Sequence, residues 1–215
     1  MRRLKRLLSA NGLTVMLAGC VAVAEGPTAE IGFLGGGRAV APVRDVSLQG
    51  GQVIVAGPPG YCIDTRSVRR GRGGHFVLLA SCQSLTGQSD LGVEPAVMTV
   101  LSLPLDTRAE QPSADDLAAS LAPARVLEKI DGDGVSIVHV AGGGAAGIQG
   151  GDPRYWRAAM LINGHITGLA LYGAKGSPVA GKAGRRLIMD LAEALREASP
   201  VLPLSAPAIA GVASQ

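Results

Sequence analysis

Through much of the middle of the chain apolar residues recur with a period of two, and in two stretches with a period near that of a helix. The plainest alternation runs from Tyr155 to Ile162, breaks at Asn163-Gly164 and resumes from His165 to Tyr172. Asn-Gly suits the left-handed angles of a two-residue turn, so the two runs are expected as a β-hairpin. That turn sets a register in which Ile162 faces His165, Met160 faces Thr167, Ala158 faces Leu169 and Trp156 faces Leu171. The opposite side carries Leu161, Ala159, Ile166 and Ala170. Both sides are largely apolar, which predicts cover on both.

Further strands are expected at Arg44 to Leu48 and Gln52 to Ala56, joined through Gln49-Gly50-Gly51, and at His75 to Ser81 and Ala96 to Leu103. Val126 to Ile130 and Val135 to Val140 form another pair, joined by Asp131-Gly132-Asp133-Gly134. Ser113 to Leu121 reads as a short helix, opened by Ser113 and Asp116 in capping-box spacing, with Leu117 and Leu121 on its buried stripe. A longer helix runs from Pro178 or Lys182 to Glu197 and places Leu187, Ile188, Leu191, Ala194 and Leu195 on one face. The expected class is α+β: a largely antiparallel sheet of hairpins covered by one short and one long C-terminal helix.

Residues 43–198 make one domain in this reading, at roughly 155 residues enough to bury a core. A Gly- and Ala-rich tether is expected over 20–42 and a Pro-rich flexible tail over 199–215. The order of elements resembles that of PsbP-type α/β/α sandwiches among exported accessory proteins, and the likeness is one of element order alone.

A composition of 47% hydrophobic and 17% charged residues excludes a disordered chain and a coiled coil. The first residues carry a different signal. Arg2, Arg3, Lys5 and Arg6 precede a short apolar run from Leu7 to Leu17, then Ala18, Gly19 and Cys20. Leu17-Ala18-Gly19-Cys20 resembles the lipobox of bacterial lipoproteins. The resemblance implies that residues 1–19 are a signal peptide and that Cys20 carries the lipid. Ala22-Val23-Ala24 offers a second, ordinary secretory cleavage site, and an uncleaved N-terminal helix is the third possibility. All three readings place the domain outside the cytoplasm, and the first in the cell envelope facing the periplasm.

The leader also carries the charge. The chain has 20 Lys and Arg against 17 Asp and Glu; without the four basic leader residues it has 16 against 17, a formal charge of −1. A nucleic-acid partner is therefore not expected. With Cys20 lipidated, Cys62 and Cys82 are left as an even pair in a compartment that favours oxidation, and a disulfide is expected.

Several motifs approach known chemistry without completing it. Gly176 to Ala183 approaches a phosphate-binding loop but has Ala183 where a hydroxyl should ligate Mg²⁺. Gly142 to Gly147 matches G-x-G-x-x-G, yet Gly150, Gly151 and Pro153 oppose the helix that should follow, so a mobile loop is expected. His75, His139 and His165 lack metal-ligand spacing, and Asp131 to Gly134 lacks the closing Glu of a Ca²⁺ loop. His75 and Ser81 share a strand face but lie roughly 20 Å apart, too far for a nucleophile and its base. Cys82 is more plausible as half of a disulfide than as a nucleophile. No cofactor, metal or catalytic residue is expected.

Arg66, Arg69, Arg70 and Arg72 crowd a segment read as a solvated loop between the two cysteines, suited to anionic headgroups or an acidic partner. The expectation is a lipid-anchored accessory or binding protein without chemistry of its own. It would meet the membrane through its lipid and an envelope partner through this loop or the Gly142 to Gly151 loop. The alternative is an exported hydrolase whose groups meet only in three dimensions.

Overall fold

Asn163 and Gly164 both take positive φ, 50° and 79°, as a two-residue hairpin turn requires. They join β8 (Arg154–Ile162) to β9 (His165–Gly173), paired from Ile162 with His165 to Trp156 with Leu171. The computed structural model describes residues 42–87 and 92–202; the leader, Cys20 and most of the expected tether and tail lie outside these.

Around this hairpin an antiparallel sheet of seven strands is built in the order β3-β4-β5-β9-β8-β7-β6. The remaining strands are β3 (Tyr61–Gly71), β4 (Gly74–Ser81), β5 (Ala96–Ser102), β6 (Arg125–Gly132) and β7 (Val135–Ala141). A separate two-stranded ribbon joins β1 (Asp45–Leu48) to β2 (Val53–Ala56). The fold is thus broadly α+β with a C-terminal helix.

One sheet face carries the main core. Trp156, Ala158 and Met160 of β8 and Leu169 and Leu171 of β9 meet Ile188, Leu191, Ala192 and Leu195 of α4 (Lys182–Ala198). The β1–β2 ribbon completes this layer through Leu48, Val53 and Val55. Ala192, not the expected Ala194, lies on the buried stripe, together with Gly184. At Gly184 a Cβ would stand 1.9 Å from the Val179 carbonyl oxygen and 2.7 Å from the Trp156 ring. Only glycine lets the helix cross β8 so closely.

The second face is covered in pieces. Over β7 and Tyr155 lies α2 (Ala114–Ser120), held by the expected capping box in which the Ser113 Oγ accepts from the Asp116 N–H and the Asp116 carboxylate accepts from the Ser113 N–H. At the other side a second cluster gathers Leu78, Ala80 and Val97 with Leu85 and Ile148. Leu85 comes from α1 (Cys82–Thr86) and Ile148 from the chain just after α3 (Gly144–Gly147). The cover is therefore more than two helices: the ribbon shares one side with α4, and α1 and α3 share the other with α2.

Two expectations change here. The arginine segment is not a loop but the edge strand β3, paired to β4 through its backbone with a bulge between Asp64 and Arg69. The C-terminal tail begins later than Ser199, because the Ser199 Oγ accepts from the Ile54 N–H at 3.0 Å and the Asn163 side-chain amide donates to the Pro200 carbonyl at 2.8 Å.

Candidate functional site

Cys62 and Cys82 form the expected disulfide, with Cα atoms 4.8 Å apart. It ties β3 to the first residue of α1, and β3 then carries the arginines outward. They do not act as one cluster. Arg66 is paired with Asp64 at 3.0 Å, and Arg70 donates to the Ser47 carbonyl at 3.1 Å on the ribbon side. Arg72 lies exposed in the β3–β4 turn. Arg69 lies on the second face, opposite Phe76, with one guanidinium nitrogen donating to the Arg66 and Val68 carbonyls.

The Gly142 to Gly151 segment, expected as a loop, contains one short helical turn. Gly142 and Gly143 take positive φ of 90° and 93°, and the chain then closes one helical turn, α3. The Gly142 and Gly144 N–H groups both donate to the Pro153 carbonyl, so these donors are turned inward and do not form a phosphate cradle. The Gly176 to Ala183 loop is closed in the same manner. Its Ala180, Gly181 and Gly184 N–H groups donate to Ser177, Pro178 and Gly181, while the Ala180 and Gly181 carbonyls are held by His139 and Trp156 at 2.9 and 3.0 Å.

Asp152 pins both of these segments. Its carboxylate is buried and accepts from the Arg154 N–H and Nε at 2.9 and 3.0 Å, and from the Gly176 N–H at 2.9 Å. The Arg154 guanidinium, helped by the Gly176 N–H and opposed by burial, holds this carboxyl well below the usual carboxylate range. Its folded-state pKa is depressed, so its stabilisation is present at neutral pH and lost as pH falls through the folded pKa. Asp152→Asn should lower stability at pH 7 by about 2 kcal/mol, since charge-assisted hydrogen bonds are lost. In urea titrations the gap to wild type should hold above about pH 5 and narrow below the unfolded carboxylate value of about 4. A gap independent of pH would show that the charge is not what stabilises this corner.

Each imidazole has a structural partner. The His75 Nδ1 accepts from the Gln49 N–H at 3.1 Å. The His139 ring stacks on Trp156 with centroids 4.1 Å apart. His165 contacts the Leu103 carbonyl at 2.8 Å and the Gln52 side chain at 3.2 Å. Among the described residues no group of three His, Cys, Asp or Glu side chains could hold a metal ion, and no helix is long and apolar enough to cross a membrane.

What the fold brings together is a groove of about 270 Å³ on the second face, in the part not covered by α2. Arg69 and Ser67 of β3, Leu78 of β4 and Val97 and Thr99 of β5 line it, with Tyr172 of β9, Gly147 at the end of α3 and Ile148 just after it. Thus one arginine of the basic segment and the end of the Gly-rich segment, far apart in sequence, meet in one concavity. The Tyr172 ring is stacked on Tyr155 with centroids 5.3 Å apart.

The register places Thr99 beside Ala170, and Ala170 beside Arg157, on this same face. The Arg157 Nε is buried and has no hydrogen-bond partner. Ion pairs among the described residues occupy Arg66, Lys129, Arg154, Arg185 and Arg196, and neither Arg69 nor Arg157 is in one. Sequence reasoning missed Thr99, Tyr172 and Arg157. Arg157 was open to discovery, because it is the next residue on the apolar face of Ala159 and Leu161 and the lone charge there.

No family model matches the chain, and neither a curated protein nor a solved structure matches it.

Proposed function

We propose that the chain is an exported, lipid-anchored binding module of the bacterial cell envelope, and that its ligand occupies the groove on the second sheet face. The observation that carries this reading is the meeting of Arg69 with Gly147 and Ile148 over an apolar floor. Concave, mostly apolar sites with a few placed polar groups are where small ligands bind, and this one lies just below the ordinary range of about 300–1,000 Å³. The lipobox-like leader and the Cys62–Cys82 disulfide support export. The hydrolase alternative is favoured by a pocket that sets an imidazole beside an acid, and none of His75, His139 and His165 lines this groove.

Two measurements test this on the full chain. The intact mass of protein extracted from membranes should correspond to a chain starting at a diacylated Cys20; one starting at Glu25 would overturn the anchor. The uncharged fluorophore N-phenylnaphthylamine should bind at a single site and brighten. Thr99→Trp, which fills the groove, should abolish that signal while leaving the melting temperature close to wild type. Unchanged binding by this variant would place the site elsewhere.

A further inference from the structure

The lining of the groove is uneven. Phe76, Leu78, Val97, Ile148 and the Tyr172 ring give it an apolar body, and one cation, Arg69, stands at its β3 end. Arg69 is exposed, and among the described residues its side chain makes only the two hydrogen bonds of Nη1 to main-chain carbonyls, so most of its guanidinium donors have no protein partner there. The acid nearest in register on this face, Asp64, is already engaged by Arg66 through three hydrogen bonds. Outside the lining, two strands over from Thr99 on the same face, Arg157 adds a second positive charge that has no acidic partner among the described residues. An occupant with an apolar body and a negative end matches this distribution; a cationic or polar one does not.

We infer that the groove takes a single-chain amphiphile with an anionic head, its chain lying across Leu78, Val97 and Thr99 and its head held by Arg69. This rests on the groove being the binding site and adds the chemical class and orientation of the ligand. The site admits one chain, because its floor is the sheet itself and α3 closes one side; a free amphiphile fits it and a bilayer surface does not. The direction also follows from solvation. The exposed Arg69 end leaves a charged head in water, whereas the half-buried Ile148 and Tyr172 ring offer apolar contact at the other end.

Displacement of N-phenylnaphthylamine from the full chain tests the inference, with decanoate, decanol and decyltrimethylammonium as competitors. Decanoate should compete at least about tenfold better than the other two, the ratio expected of one charge-assisted hydrogen bond. Arg69→Gln should remove that preference and leave decanol unchanged. Arg72→Gln, a charge change in the same hairpin outside the groove, should have no effect. If the fluorophore binds in the groove but the three competitors are equal, the class is wrong while the binding reading stands. If the fluorophore does not bind, both fall. A preference lost in Arg157→Gln but kept in Arg69→Gln would reverse the orientation. Equal losses in Arg69→Gln and Arg72→Gln would reduce the effect to general charge. Displacement by phosphatidylglycerol vesicles but not by decanoate would replace the free amphiphile with a membrane surface.

Discussion

Trp156→Ala should lower the unfolding free energy by about 3–5 kcal/mol, the range for removing a large buried aromatic side chain. Three separate contacts meet in this one ring. It is 1% exposed at the centre of the main core, it stacks on His139, and its Nε1–H donates to the Gly181 carbonyl at 3.0 Å. Gly184 lies against its edge, so truncation leaves a void beneath the first turn of α4 that the helix cannot fill without disturbing the bond from the Gly184 N–H to the Gly181 carbonyl. Trp156→Phe separates the terms: it keeps much of the ring but leaves the Gly181 carbonyl with the Gly184 N–H alone, and should cost about 1 kcal/mol more than the packing change. Urea unfolding followed by circular dichroism would measure both. A loss below about 1.5 kcal/mol for Trp156→Ala would mean that the seam between α4 and β8 does not carry the core as described.

The second large effect is that of the disulfide. Cys62 and Cys82 are 20 residues apart in sequence and enclose the β3–β4 hairpin. Closing a loop of that length restricts the unfolded chain by roughly 3 kcal/mol in the entropy model. The double variant Cys62→Ala, Cys82→Ala should lose about that much, and reducing the wild type should produce a similar fall in melting temperature. Reductant should leave the double variant unchanged. The loss should also appear locally, because β3 is an edge strand whose one full strand partner among the described residues is β4, with a single bridge from Val43 to Ile63 on its other side, so amide exchange in Tyr61–Gly71 should rise more than in β8 or β9. Equal exchange throughout would argue that the bridge stabilises the whole domain without anchoring this edge.

How far the sequence could be read depended on whether each element carries its own instructions. The β8–β9 register follows from two turn residues, since Asn163 and Gly164 admit the positive φ values that a tight hairpin needs, and every pair inferred from them is present. The capping box at Ser113 and Asp116 is equally local. Strand β3 is different. Its outer half, Arg66 to Gly71, is polar except for Val68 and pairs through its backbone, so no alternation marks it. Gly184 reads as a weak point in a helix, and only the positions of the Val179 carbonyl and Trp156 explain it. The groove was least legible of all. Its residues come from segments near 67–69, 76–78, 97–99, 147–148 and 172, and strand order alone makes them neighbours.

Both outer strands of the sheet are interrupted, β3 by its bulge between Asp64 and Arg69 and β6 by one between Val126 and Glu128. Along these rims lie Arg66 and Arg69 on one side and Glu128 and Lys129 on the other. A strand from a second molecule would have to follow a kinked rail and bring its own side chains against fixed charges. The sheet therefore ends where the chain ends it: many copies concentrated on one surface could stand side by side without polymerising through their backbones.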